Sequence, residues 1–266
     1  MLPKILLIDI ETAPNKVYTW GLWEQNVGTN QIINPGYVLS WAAKWVGTNH
    51  IMFDSLIKHP EVYKKNHQDD SAIAMSMWKL MDEADIIIAH NGDNFDLKWL
   101  NTIFVKNRLK PVAPYKSIDT LAIARRYFKF QSNKLEYLAE FFNIGSKHEH
   151  PGFLMWENCM NPKVNRASWS NMERYNKHDI VLLEGVYNYL KPFMSNHPNL
   201  ALYGNLADKI CPSCLSKNIH KDGVRRTYTN VNVYQRYECN DCGRHWRGSK
   251  SLLTKEQREN LLRSPA

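Results

Sequence analysis

The stretch Lys4–Thr12, KILLIDIET, is the most informative segment of this 266-residue chain. Its four consecutive apolar residues, Ile5–Ile8, predict a buried strand. Asp9 and Glu11 follow two residues apart, so their side chains point to one face of that strand. Two carboxylates this close repel each other unless a cation lies between them. The segment therefore predicts a central strand with an acidic, metal-binding site at its carboxyl end.

Apolar periodicity indicates further strands and helices over the first 195 residues. Strands are predicted at 38–46, 50–54, 85–89 and 115–118, and helices at 70–83, 95–107, 119–128, 134–143 and 168–190. Three antiparallel strands followed by strand–helix alternation favour an α/β fold, a mixed five-stranded sheet flanked by helices. The segment 145–165 has no clear periodicity and is predicted to be a long loop.

Breaks in the last helical pattern suggest where the main domain ends. Pro192 and the His197–Pro198 pair interrupt the pattern. We therefore expect a main domain over residues 1–195 and a linker over 196–207. A small module over 208–250 and a polar, helical tail over 251–266 would follow.

Four of the five cysteines form two CxxC pairs in the small module. They are Cys211, Cys214, Cys239 and Cys242, and 24 residues separate the pairs. Each pair can form a tight turn that presents two thiolates, and four thiolates can hold one tetrahedral Zn²⁺. The pattern predicts a zinc ribbon with one structural Zn²⁺. Basic and aromatic residues alternate between the pairs, which favours a nucleic-acid contact by this module.

Two acidic segments of the main domain complete the pattern begun by Asp9 and Glu11. Asp96 follows the predicted strand of ADIIIAHNG and would begin the next helix, where an acid also suits the helix dipole. Tyr175 and Asp179 are four residues apart on a late helix and share a face. Each segment alone has an ordinary structural explanation, and only the combination is specific.

The chain contains, in order, DxE on the first strand, HNxxxFD after a middle strand and YxxxD on a late helix. With these motifs in this order, it resembles the DEDD superfamily of 3′–5′ exonucleases. The YxxxD form resembles the DEDDy subgroup. The sister subgroup has His five positions before the last Asp, where this chain has Arg174. The resemblance covers residues 4–190 and is greatest to stand-alone phage and bacterial proteins. It implies a ribonuclease-H-like fold.

The resemblance also implies two Mg²⁺ or Mn²⁺ ions and the release of nucleoside 5′-monophosphates from a 3′ end. Asp9 would bridge both ions, Glu11 and Asp179 would complete the first, and Asp96 would hold the second. Tyr175 would orient the attacking water. These five residues are the predicted catalytic set, and its four acids are the predicted Mg²⁺ or Mn²⁺ ligands.

Residues near these motifs are weaker candidates for substrate binding. They are Thr12, Trp20, Asn91, Phe95, Arg125 and Arg126. Thr12 could contact the terminal nucleotide, aromatic rings could stack on bases, and the arginines could follow the phosphate backbone. Structural alternatives stay open: Phe95 as a core residue, Asn91 as a turn cap, and the arginines as a solvated helix face.

Charge and hydropathy restrict the class of partner. Lys and Arg exceed Asp and Glu by 34 to 26, which suggests a polyanionic partner. No apolar run reaches the roughly 18 residues that span a bilayer, so no membrane contact is expected. The apolar start is short and ends in a carboxylate, so we expect no signal peptide and a cytoplasmic protein, which a phage could encode.

Single-stranded DNA is the favoured substrate prediction, and a replication or recombination protein is a further candidate partner. Two alternatives stay open. The same fold could be an exoribonuclease or a structure-specific endonuclease. In another class, the chain could be a non-catalytic nucleic-acid-binding adaptor, although the presence of all four acids and the tyrosine argues against this.

Overall fold

The computed structural model describes residues 2–23, 25–146, 149, 151–204 and 208–262. These residues form two units, Lys4–Leu190 and a second unit from Lys191 onward with the residues before Lys4. Parts of the predicted linker (205–207) and tail (263–266) lie outside the described residues. Each helix in the described ranges is too short or too polar to pass through a lipid bilayer.

A mixed five-stranded sheet forms the centre of the first unit. Its strands are β1 (Ile5–Thr12), β4 (Val38–Trp45), β5 (Ile51–Ser55), β6 (Ile86–Ala89) and β7 (Lys116–Asp119), while β2 (Lys16–Val17) and β3 (Ile32–Asn34) pair separately. The order is β5-β4-β1-β6-β7. β1 pairs antiparallel with β4 and parallel with β6. Because β1 is central, its apolar run is buried on both faces.

Helices cover both faces of this sheet. They are α1 (Pro60–Lys65), α2 (Ser71–Asp82), α3 (Asp96–Lys106), α4 (Thr120–Tyr127), α5 (Leu135–Phe141), α6 (Phe153–Met160) and α7 (Arg166–Leu190). Two neighbours on β4 show the two faces. The indole of Trp41 donates a hydrogen bond to the backbone of α2, whereas the hydroxyl of Ser40 donates to Asn176 of α7. The predicted fold, a five-stranded mixed sheet flanked by helices, is confirmed.

The prediction of one long loop over 145–165 is wrong at its centre, where α6 lies. Met155 and Cys159 are four residues apart on α6 and both are buried. The helix begins after Gly152, whose φ of +65° suits glycine because it has no Cβ. Its sequence, FLMWENCM, is short and mostly apolar. A helix of this kind lacks the polar face that periodicity analysis needs.

The second unit contains a three-stranded antiparallel sheet in the order β10-β9-β8. Its strands are β8 (Ile219–Thr229), β9 (Asn232–Cys239) and β10 (His245–Ser251), followed by the short helix α8 (Lys255–Glu259). Thr254 begins α8 with a capping box, in which its hydroxyl accepts a hydrogen bond from the Gln257 amide.

Candidate active site and metal centres

Carboxylates from the first strand and the last helix of the first unit converge. Asp9, Glu11 and Asp179 each present an oxygen atom, and these atoms lie within 4.8 Å of one another. Asp9 and Glu11 leave β1 on the face that α7 covers, as their two-residue spacing predicted. A register shift after Glu11 ends the regular pairing of β1 with β4, which is a common device for re-aiming side chains beside functional sites.

Asn176, which the sequence analysis missed, holds Asp9. Its side-chain amide donates one hydrogen bond to Asp9 Oδ2 and another, at 3.2 Å, to the Asp9 backbone oxygen. Its own Oδ1 accepts from the Ser40 hydroxyl at 3.2 Å. Asn176 is completely buried and follows Tyr175 directly. The same turn of α7 therefore brings both a tyrosine and an amide donor to β1.

Glu11 and Tyr175 are joined by Trp156, a second residue that the sequence analysis missed. The indole N–H of Trp156 donates to Glu11 Oε2 at 3.1 Å. Its ring meets the Tyr175 ring edge-on, with centroids 5.7 Å apart. The Tyr175 hydroxyl donates to Asp179. Burial, followed by the charges of Asp179, Glu11 and Asp9, raises the pKa of Tyr175 far above its ordinary value, so the phenol stays protonated at neutral pH.

Asp96 reaches the same strand by a different contact. It begins α3, is buried, and accepts a hydrogen bond from the Ile10 amide, between the two acids of β1, at 3.1 Å. Asp119 holds the preceding loop, because its Oδ1 accepts from the Asn91 amide at 2.9 Å and also caps α4. Burial raises the pKa of Asp96 to about 7, against the opposing effect of backbone N–H donors. Among the described residues, Asp96 is not within the 4.8 Å group.

Two predicted substrate-binding residues, Thr12 and Phe95, lie next to the carboxylates in sequence, and a third, Asn91, lies five residues before Asp96. Thr12 follows the irregularity at the end of β1. Asn91 adopts a φ of +65° and its backbone oxygen accepts from the Phe95 amide, so its backbone forms the turn before α3. Phe95 directly precedes Asp96 and is 38% exposed. Its ring is therefore at the surface and not in the core.

The other predicted substrate-binding residues are on exposed segments. Trp20 lies between β2 and β3 and is 98% exposed. Arg125 and Arg126 are exposed in the last turn of α4, and the guanidinium of Arg126 lies over the Tyr127 ring at 5.4 Å. No contact in the described residues joins these three side chains to the carboxylate group.

The donor atoms of the carboxylate group suit a hard divalent cation. Mg²⁺ and Mn²⁺ prefer oxygen ligands. Burial is the main reason that the pKa of Asp9 is raised well above its ordinary value, and the charges of Glu11, Asp179 and Asp96 add to it. A bound cation would remove this repulsion. Asp9, Glu11 and Asp179 therefore fit a metal of this class.

The four predicted cysteine ligands also converge. The Sγ atoms of Cys211 and Cys242 are 3.6 Å apart, as are those of Cys214 and Cys239. A disulfide needs about 2 Å, whereas thiolates around one tetrahedral Zn²⁺ at about 2.3 Å lie about 3.8 Å apart. All four donor atoms lie within 4.8 Å of one another. The geometry fits a small zinc-binding module.

Local backbone geometry explains how each CxxC pair forms a tight turn. The Leu215 amide donates to the Cys211 oxygen at 2.9 Å, and the Gly243 amide donates to the Cys239 oxygen at 2.8 Å. Leu215 and Gly243 both have positive φ, +63° and +70°. Glycine adopts this conformation freely and leucine does not. The Cys211–Cys214 turn therefore depends more strongly than the Cys239–Cys242 turn on metal binding by its cysteines.

We expect the metal-free protein to lose stability as the pH rises from about 4 to about 8. The pKa of Asp96 is about 7 in the native state and has a reference value of 3.8. Between these values the native state binds more protons than the unfolded state, so the free energy of unfolding falls with pH. Asp96→Asn should flatten this part of the profile, measured by urea unfolding in EDTA.

The matched control for this experiment is Asp93→Asn, an exposed acid in the same loop. It should keep the wild-type dependence of stability on pH. Parallel profiles for wild type and Asp96→Asn would show that the carboxyl of Asp96 ionises without the influence of burial.

We expect one tightly held Zn²⁺ per chain. Replacing Cys239 and Cys242 together by serine should abolish zinc retention during dialysis, because two of the four thiolates are lost. Cys159→Ala, which removes the cysteine of α6, should leave the zinc content unchanged. Elemental analysis of the purified proteins gives the measurement, and equal zinc in all three would contradict the site.

Comparisons with known proteins agree with the fold and extend it to a family. Residues 45–191 match the family described as the RNase_H superfamily. An 84-residue stretch is 32% identical to the DNA polymerase III PolC-type of Ureaplasma parvum serovar 3, and covers 32% of this chain and 6% of the polymerase.

A solved structure shows the same fold at low sequence identity. The family B DNA polymerase of the hyperthermophilic archaeon Pyrobaculum calidifontis matches with a TM-score of 0.54 and 16% identity, over 72% of this chain and 25% of that chain. The chain thus spans a small part of either polymerase. The family match includes Asp96, Tyr175 and Asp179, and begins after β1. Since the matched region is more than half of the sequence, the chain belongs to the RNase_H superfamily.

Proposed function

We propose that this chain is a metal-dependent 3′–5′ exonuclease of the DEDDy type, which hydrolyses single-stranded DNA to 5′-mononucleotides with two Mg²⁺ or Mn²⁺ ions. The observation that carries the proposal is the approach of Asp9, Glu11 and Asp179 to within 4.8 Å. Membership of the RNase_H superfamily supports nuclease chemistry. Similarity to two DNA polymerases favours DNA over RNA.

In this proposal the four acids hold the ions and the neighbouring residues hold the acids. Asp9 would be shared, Glu11 and Asp179 would serve one ion, and Asp96 the other. The bound ions would supply positive charge against the phosphodiester and its leaving oxygen. Fixing the acids in advance lowers the reorganisation that binding requires.

Tyr175 is suited to orient water and not to remove its proton. Its raised pKa keeps the hydroxyl protonated, and its proton is directed at Asp179. The oxygen of Tyr175 can then accept a hydrogen bond from the attacking water. That water keeps a lone pair for the phosphorus atom, which is the alignment that in-line displacement needs.

Phe95 and Thr12 would contact the 3′-terminal nucleotide, because they adjoin Asp96 and Glu11 along the chain. The exposed ring of Phe95 can stack on a base, an interaction worth about 1–3 kcal/mol. Trp20, Arg125 and Arg126 would contact the strand farther from its end. These assignments rest on exposure and on sequence proximity to the acids.

The zinc ribbon would provide an additional DNA contact, although its arginines are not equivalent. Arg244 is buried and donates to the Lys191 oxygen and the Ser213 hydroxyl, both at 3.1 Å. Arg236 pairs with Asp222. Arg247 is exposed and lies over the Tyr234 ring at 4.5 Å. An exposed arginine beside an aromatic ring is the better candidate for phosphate and base contacts.

We expect 5′-labelled single-stranded DNA to be shortened stepwise from its 3′ end in Mg²⁺ or Mn²⁺, with release of 5′-mononucleotides. Asp9→Asn should lower the rate at least about a thousandfold, because a metal site contributes several kcal/mol to such reactions. Asp93→Asn should retain wild-type activity. The products are resolved on denaturing gels for single- and double-stranded DNA and for RNA.

Other results of this assay would identify the alternatives. Internal nicks would indicate an endonuclease, and faster digestion of RNA would indicate an exoribonuclease. Binding without cleavage by wild type, with either metal, would contradict the enzyme proposal and favour an adaptor.

We expect Asn176→Ala to weaken Mn²⁺ binding about 10- to 100-fold, the usual effect of removing a residue that orients a metal ligand. Asp9 would lose its side-chain donor, and Ser40 would lose its acceptor. Isothermal titration calorimetry without substrate gives the affinity. Asn171→Ala, on the same helix, is the control. Unchanged affinity in a folded Asn176→Ala protein would show that Asp9 does not need this contact.

A further inference from the structure

A basic groove of about 1140 Å³ opens beside β5, the edge strand of the sheet. We call it the edge groove. Its cationic residues are Lys58, Lys64, Lys163 and Arg166, and Glu173 is the acid among its described lining residues. The aromatic side chain of Phe53 also lines it. None of these residues belongs to the proposed catalytic set.

The edge groove lies on the same face and at the same end of the sheet as the carboxylate group. Glu11 pairs with Ser40, and Ser40 pairs with Ser55, which lines the groove. Directly paired residues share a face, and neighbouring strands are about 4.8 Å apart. Ser55 is therefore about 10 Å from Glu11 across two strands. β4 pairs antiparallel with both β1 and β5, so β5 runs parallel to β1. The carboxyl ends of β1 and β5 therefore lie at the same end of the sheet.

Helix α7 borders both the edge groove and the carboxylate group. Asp179 belongs to the carboxylate group and Tyr175 donates a hydrogen bond to it, whereas Trp169 and Ser170 line the groove. Trp169 and Tyr175 are six residues apart, which is about 9 Å along a helix axis. The groove and the carboxylate group are therefore separated by about 10 Å both across the sheet and along the helix. A strand that ends at the carboxylates can reach the groove without leaving this side of the sheet.

The charge of the edge groove is not neutralised internally. Glu173 is 2.6 Å from Lys177 and 3.8 Å from Lys58, so its one charge is divided between two lysines. Lys64 pairs with Glu61 at 3.1 Å, but both side chains are highly exposed. Within the described parts of the chain, Lys163 and Arg166 have no ion-pair partner. Such exposed pairs leave most of the positive field in place.

We propose that the edge groove binds the phosphodiester backbone of the substrate strand, about three nucleotides from the end held at the carboxylates. The spacing follows from about 10 Å of separation and about 3.4 Å of rise per stacked nucleotide. Lysines and an arginine around an aromatic side chain form the combination that single-stranded nucleic acids recognise. This inference rests on the proposed function for the location of the strand end.

The test is the salt dependence of DNA binding. A fluorescent 20-nucleotide thymidine strand is titrated in EDTA, which prevents cleavage, over a series of salt concentrations. Lys163→Ala combined with Arg166→Ala should reduce the slope of log affinity against log salt by about 1.4, about 0.7 for each lost contact with a single strand. Affinity should fall about 10-fold or more at low salt.

The matched control combines Lys110→Ala with Lys116→Ala. It removes the same charge, and Lys116 lies on β7, the opposite edge strand. It should leave the slope as in wild type. Equal slopes for the two double variants would overturn the proposal that the edge groove binds DNA, because the change in salt dependence would then reflect net charge alone. Preferential binding of an acidic peptide over DNA at the groove would also overturn it.

A second readout separates this inference from the proposed function. If both are correct, the groove variant loses activity on the 20-nucleotide strand and keeps wild-type activity on a dinucleotide too short to reach the groove. If the wild-type protein binds DNA and the groove variant shows the expected loss of slope, but neither substrate is cleaved, the enzyme proposal fails and the proposal of DNA binding at the groove is supported. Equal losses on both substrates would contradict the groove and indicate damage to the carboxylate site.

Discussion

Repulsion between closely spaced carboxylates is the constraint on which the first unit depends. Asp9, Glu11 and Asp179 lie close together in a partly buried position, and Asp96 is buried beside the same strand. Such an arrangement is unfavourable in the absence of a cation. It persists because each acid is restrained by a donor that belongs to the fold: the Asn176 amide, the Trp156 indole, the Tyr175 hydroxyl and the Ile10 backbone.

These restraints come from elements that are distant in sequence. The backbone donor is on β1 itself, the amide and phenol are on α7, and the indole is on α6. Packing of α7 across β1 and β4 therefore does two things, since it buries apolar surface and delivers polar groups to the acids. Weaker packing at this interface would first disturb the geometry of the carboxylates.

Much of the fold could be predicted because the relevant signals are local. The apolar run before Asp9 specifies a buried strand, the spacing to Glu11 specifies a shared face, and Asp119 caps its helix as expected. The cysteine cluster could be predicted equally well, since each CxxC turn is formed by neighbouring residues. Asn176 and Trp156 were not predictable in this way. Their roles depend on which strand or acid they meet, and neither a lone amide nor an indole in a short apolar helix carries a pattern.

The location of β1 has a consequence for dissecting the protein. The region shared with the RNase_H superfamily begins at residue 45, whereas β1 ends at Thr12 and lies between β4 and β6. A fragment cut to the family boundary would lose β1 and nearly all of β4. β5 would then have no neighbour and β6–β7 would be a two-stranded remnant, with exposed hydrogen-bonding edges that invite aggregation. Buried core residues and two of the proposed ion ligands share the octapeptide Ile5–Thr12, so shortening this chain from its amino end would remove stability together with the proposed metal site.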